Sequence, residues 1–146
     1  MLAFLWPETR WVLLDANHRR TSFLRDAAEA LGLADRVVVL AERAEVIGQD
    51  PAWRASADLV VARAFGSPAV TAECSAPLLR VDGVLVVAEP PGGAPDRWPA
   101  SGLDLLGLVA DGQVTTPAAL QRLRLTTPCP SRYPRRTGVP QKRPLF

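Results

Sequence analysis

A chain of 146 residues that is 48% apolar, 22% charged and formally +2 has the size and balance of one globular domain. No apolar run nears the roughly 20 residues of a membrane span, and the opening MLAFLW stops at Pro7 with no basic residue before it, unlike a signal peptide. Two distant cysteines, Cys74 and Cys129, point to a reduced, cytoplasmic setting, and the single histidine, His18, argues against His-based metal sites and Ser/His/Asp triads.

The first residues read as the end of a helix that Pro7 stops, because the residue before a proline avoids helical angles. Trp11 to Leu14 is a short buried strand closed by an acid, Asp15. Asn17 is placed to cap a helix whose apolar face is expected from Phe23, Leu24, Ala27, Ala28 and Leu31, at spacings of three and four. Gly32 supplies its left-handed end. RVVVL at 36–40 is a second buried strand, since its valines show no polar alternation. Residues 46–56 form a short helix or an irregular link around Pro51.

DLVVAR at 58–63 is the third strand and runs into the turn Ala64-Phe65-Gly66-Ser67-Pro68. A helix from Ala69 to Arg80 follows, shortened or kinked at Pro77. VLVVA at 84–88 is the fourth strand. Strands and helices alternating at this spacing predict a parallel α/β sheet. The pattern breaks at Glu89: residues 89–102 read as a Pro- and Gly-rich loop, and 103–109 with 120–126 as an antiparallel pair. The end, 128–146, has five prolines and reads as an extended arm. Charge follows the same division. Residues 1–111 hold all 15 acids and sum to −5, whereas 112–146 hold no acid and sum to +7. A wholly basic end suits contact with a polyanion; an arm packed over the sheet is the competing reading.

Asp15 ends a strand and precedes a helix. That places a carboxylate at the sheet's carboxyl edge, where a ribose diol can donate to it; capping the next helix would also explain it. Ala44 and Glu45 follow the second strand at the same edge, and Arg63 ends the third, with Asp58 or Glu45 as possible ion-pair partners. No pair looks like a nucleophile with its base, so no catalytic residue is assigned and no metal is expected. Tyr133 among Arg132, Arg135, Arg136, Lys142 and Arg143 fits phosphate contact plus one stacking ring.

Together these segments resemble the small-subunit ribosomal RNA guanine-N7 methyltransferase family, also called glucose-inhibited division protein B. The resemblance rests on WVLLDANHRRTSFLRDAAEALGL at 11–33, RAE at 43–45, VVARAF at 60–65, APLLRVDGVLVVAE at 76–89 and RYPRRTGVPQKRPL at 132–145. It implies a Rossmann-like class I S-adenosylmethionine-dependent methyltransferase fold over residues 1–127, with 128–146 as a basic arm. It also implies methylation of guanine N7 in 16S ribosomal RNA, in the cytoplasm. Asp15 would hold the cofactor ribose, Ala44 and Glu45 would line the adenine, and Arg63 would lie near the methionine end or the target base. Arg19, Arg20 and the cations of the arm would contact RNA.

Two departures from the family pattern stand out. The first strand and its Gly-rich loop have no counterpart in this sequence. Strands 11–15 and 58–63 would then each lack a neighbour, which favours self-association or a non-catalytic interaction role. And Glu89-Pro90 stands where the family usually has Lys-Gly, which would put an anion near the expected RNA path.

Overall fold

The computed structural model describes residues 2–90 and 96–146, and the chain divides into two compact units, Met1–Ala44 and Glu45–Phe146. Part of the expected 89–102 loop lies outside the described residues.

The first unit runs α1 (Leu2–Leu5), β1 (Trp11–Leu14), α2 (His18–Ala30) and β2 (Val37–Leu40). The two strands pair in parallel, Trp11 opposite Val37 and Leu14 opposite Leu40. Pro7 follows α1, and the Arg36 guanidinium fastens that helix's end by donating to the carbonyl of Ala3 at 2.6 Å. Asn17 caps α2 through its side-chain oxygen, which accepts from the Arg20 amide at 3.1 Å. At the other end Gly32 takes φ +66°, and the Leu33 amide turns back to the Ala28 carbonyl.

One expectation about α2 fails in part. Thr21, Leu24 and Ala28 face inward, whereas Phe23 is 70% exposed and Leu31 is also out. Each helical residue turns about 100° from the last, so Phe23 cannot share the stripe that Leu24 and Ala28 define. The small core of this unit is Ala3, Ala28, Leu33 and Val37, with Trp11, Leu13 and Val39 against it.

The second unit begins within the short α3 (Ala44–Ile47) and continues through β3 (Ala57–Ala62), α4 (Pro68–Ser75), β4 (Leu79–Ala88), α5 (Ala100–Asp104), β5 (Leu108–Val114), β6 (Leu120–Leu125) and α6 (Val139–Lys142). Its sheet has the order β3-β4-β6-β5, parallel between β3 and β4 and antiparallel at the other two junctions. Among the described residues β3 pairs along only one edge. Pro77 acts as expected: α4 ends at Ser75 and a single 3-10 turn, Ala76–Leu78, leads into β4.

The expected strand at 103–109 is replaced by α5 and a later start for β5. Gly107 makes the difference. It sits at φ +77°, and a Cβ there would come within 2.5 Å of the Thr127 carbonyl oxygen, so the chain turns at Gly107 and β5 begins after it.

Strand pairing sets the two sheet faces. Val60, Ala62, Leu85, Val87 and Leu123 belong to the core, where α4 contributes Ala72. Leu59, Val61, Val84, Val86, Arg122 and Arg124 lie on the opposite face. Seven leucines of this unit lie among its largest fully buried side chains' set of Leu79, Leu85, Leu103, Leu106, Leu108, Leu123 and Leu125, each worth about 1.5–3 kcal/mol relative to exposure.

The arm is not extended away from the domain. Tyr133 is part of the core, Cys129, Leu145 and Phe146 pack on it, and Val139–Lys142 form one helical turn with Pro140 near its start, where a proline needs no amide partner. The arm therefore packs with the sheet, which was the competing reading. No helix among the described residues is long and apolar enough to cross a membrane.

Candidate functional site

Asp15 follows β1 directly. Its Oδ1 accepts from the Asn17 amide at 2.8 Å, and its Oδ2 lies 3.1 Å from a guanidinium nitrogen of Arg20. The carboxylate thus shapes the turn that leads to the cap; it does not itself cap α2, whose side-chain cap is Asn17. Each oxygen keeps a second lone-pair direction, and the side chain remains partly exposed, so a diol can still be accepted. Arg20 is already paired with Asp15, while Arg19 makes no ion pair with a described residue. Asp15 and Ala44 belong to the first unit, Glu45 and Arg63 to the second.

Ala44 is buried at the start of α3. Glu45 uses an oxygen of its carboxylate to accept from the Gly138 amide at 2.9 Å, so it holds the arm. Arg63 is exposed just beyond β3. Its offered partner Asp58 pairs with Arg80 instead.

A cleft of about 270 Å³ opens at the carboxyl ends of β3 and β4, lined by Arg63, Phe65, Thr71, Glu89, Arg97 and Trp98 among others. The Glu89 side chain is only 7% exposed and lies 2.7 Å from Arg97 Nε, and its Oε1 accepts from the Trp98 indole at 2.9 Å. The expectation that Glu89 presents an anion to RNA is corrected: its charge is turned inward and paired. The Arg97 N–H passes beside Glu89 Oε2 rather than toward it, so this contact is ionic without being a hydrogen bond.

The arm is held by side chains of the second unit. Glu73, fully buried on α4, accepts from the Arg135 backbone amide and from two guanidinium nitrogens, at 2.6–2.9 Å. That hydrogen bonding raises the Arg135 pKa above its ordinary value, against the opposing effect of burial. Arg54 donates to the carbonyls of Gly48, Cys129, Pro130 and Tyr133, and Gln49 to those of Ser131 and Pro134. Burial pushes the Cys129 thiol up to about 11, so it is no nucleophile at neutral pH.

Of the cations expected on RNA, Arg135 is therefore engaged internally, and Tyr133 is buried with the Arg132 guanidinium 5.0 Å from its ring centroid. Arg132 and Arg136 border an open groove of about 570 Å³ beside Glu45 and Gln49. Lys142 and Arg143 are exposed near the end of the arm. Sequence reasoning missed Phe65, Arg97 and Trp98, which it had placed in loops. It also missed Glu73, although one acid inside the apolar PAVTAECS is itself the sign of a buried charge that needs a partner.

The fold is one shared by solved class I methyltransferases. A 16S rRNA (adenine(1408)-N(1))-methyltransferase from Catenulisporales acidiphilia superposes with a TM-score of 0.68 at 17% identity, over 88% of this chain and 79% of that one. The antibiotic-resistance methyltransferase Kmr gives 0.64 at 12% identity, over 86% and 78%. The chain belongs to the GidB family: the model described as rRNA small subunit methyltransferase G matches residues 1–89. Proteins called Ribosomal RNA small subunit methyltransferase G are 39% identical in Prochlorococcus marinus (strain MIT 9313) and 38% identical in Deinococcus radiodurans, each over 99% of this chain. The chain spans 62% and 60% of their respective lengths.

Arg135→Gln would leave the Glu73 carboxylate buried without its cation. Urea unfolding is expected to show a loss of about 3 kcal/mol, since removing one partner of a buried pair strands the other. Amide hydrogen exchange at residue 135 and Gly138 should accelerate with it.

Proposed function

We propose that this chain takes part in S-adenosylmethionine-dependent methylation of guanine N7 in 16S ribosomal RNA. The observation that carries the reading is Asp15, a partly exposed carboxylate at the carboxyl end of a parallel strand, inside the segment that matches the family. It suits the two hydroxyls of the cofactor ribose. Bound S-adenosylmethionine supplies an electrophilic methyl group, and guanine N7 already carries the lone pair that takes it. No side chain has to remove a proton, so the protein's work is to hold two partners in line. By the family resemblance Ala44, beyond β2, would line the adenine, and Arg63, just beyond β3, would lie near the methionine end or the target base.

For the RNA, the groove beside Arg132 and Arg136 favours phosphate contact, with Arg19, Lys142 and Arg143 as further exposed cations. Such contacts position a strand without reading its sequence. Arg20 would join them by exchanging Asp15 for a phosphate. Arg135 and Tyr133 serve this surface indirectly, by fixing the arm that carries it.

A second reading is favoured by the single-sided pairing of β3 and the exposure of its Val61: association of two copies through that strand.

Calorimetric titration with S-adenosylmethionine should show binding that Asp15→Ala weakens by about tenfold or more, the worth of a hydrogen bond to a charged group; equal affinity would remove Asp15 from the site. Replacing Arg132 and Arg136 by Gln should lower the salt slope of binding to single-stranded RNA by about 1.4, or 0.7 per lost phosphate contact. An unchanged slope would reject the groove. Light scattering after size exclusion should give twice the chain mass if β3 edges pair, and a persistent monomer would dismiss that pairing.

A further inference from the structure

The sheet face opposite the one that α4 packs on carries two rows of side chains in register. Leu59, Val84, Arg124 and Val109 stand side by side across β3, β4, β6 and β5. Val61, Val86 and Arg122 form the next row, which Asp111 joins from the irregular part of β5, where both guanidinium groups reach it. Val61 and Val109 are exposed, and Leu59, Val84 and Val86 are only half-buried. The β3-β4 half of this face is therefore an apolar strip, and Arg122, Arg124 and Asp111 form an ionic flank along it. A sheet with such a strip is stable in water when another layer covers it.

The ionic flank has a sign. Arg122 and Arg124 both donate to one oxygen of Asp111, Oδ2, at 2.8 Å. Arg124 is also tied to the Asp82 carbonyl at 3.1 Å. The Arg122 side chain makes no other hydrogen bond with a described residue and is 44% exposed. Two guanidinium groups against one carboxylate leave these rows with one positive charge in excess. The spacing is that of a helix. Arg122 and Arg124 are two residues apart on one strand, about 6.8 Å, close to the rise of about 6 Å between helical residues i and i+4. Leu59 and Val61, and Val84 and Val86, repeat at the same interval. From β4 to β6 is about 4.8 Å, near the radius of a helix with its side chains, about 5 Å.

We propose that this face is a docking surface for an amphipathic helix of another polypeptide. The helix lies along β4, its apolar stripe covers the valine and leucine rows, and two carboxylates four residues apart on its flank meet Arg122 and Arg124. Helices that dock in this way are read through apolar anchors at i, i+3, i+4 and i+7, with charge on the flank setting the orientation. A second copy facing this one would set like charge against like. A nucleic acid would satisfy the two arginines and leave the apolar rows uncovered. The surface is also distinct from the β3 edge, which pairs through backbone groups.

The probes are two synthetic helical peptides of about 14 residues with the same leucine stripe, one carrying two glutamates four apart on its flank and the other two lysines there. Binding to the full chain is followed by NMR through the methyl groups of Val61, Val86 and Val109. The glutamate peptide should move all three and bind at least tenfold more tightly than the lysine peptide. Arg122→Glu should reverse that preference, an inversion that loss of stability does not produce. Val61→Lys should weaken the glutamate peptide and leave the sign of the preference unchanged. Equal binding of the two peptides, unmoved methyl groups, or a preference that survives Arg122→Glu would overturn the proposal. So would methyl shifts that follow chain concentration and that the peptide does not reverse, which would give the face to a second copy. Displacement of the glutamate peptide by a short single-stranded RNA that moves the same methyl groups would make the face a nucleic-acid surface and reject the helix.

Discussion

The contact between Glu73 and Arg135 governs the second unit. A carboxylate with no solvent exposure is tolerable only when its charge is met and its lone pairs are used. Arg135 does both with its amide, Nε and Nη2. Because α4 packs on the sheet and Arg135 belongs to the arm, this pairing ties the end of the chain to the core. Tyr133 can then be buried two residues earlier, and Arg132 and Arg136 are left beside the open groove. The basic surface is therefore a by-product of an internal ion pair: one cation is given up to orient its neighbours.

The same economy appears at each strand end. Asp15 shapes a turn and still has acceptor capacity. Glu45 holds Gly138. Glu89 neutralises one arginine and fixes an indole. In each case a carboxylate at or near a strand's carboxyl end builds local structure. Mutational loss at such residues mixes folding with binding, so a ratio between related ligands is more informative than a loss of affinity.

Much of the architecture was legible because it depends on local pattern. The Asn17 cap, Gly32 and Pro77 act through covalent or nearest-neighbour chemistry, and the structure follows them; the valine runs form strands as expected, but β1 and β2 are not buried on both faces, because Val12 and Val38 are exposed. Long-range contacts were less visible. Phe23 could not be assigned to the wrong side of α2 without knowing which stripe meets β1 and β2. The α5 helix at 100–104 competes with a leucine-rich strand pattern, and the decision falls to Gly107 and its approach to Thr127. The arm's prolines correctly excluded a long helix, but the receptor that holds it, Gln49, Arg54 and Glu73, is spread over sequence separations of 62 to 85 residues. Asp15 and Arg63 were findable as polar ends of apolar strands, one in each unit. The placing of Phe65 and Arg97 along one cleft was not, because it depends on a left-handed alanine and a buried carboxylate that no spacing rule announces.

The distance along the chain between Glu73 and Arg135 also orders events in time. A ribosome delivers Glu73 with the α4 segment and supplies its cation only 62 residues later. Until then the nascent unit holds β3 and α4 with an acid that cannot be buried as an anion. Tight packing of α4 has to wait for that cation. The arm is thus a latch made last: its arrival lets Glu73 go under as a charged group, and in the same movement sets the basic groove in place.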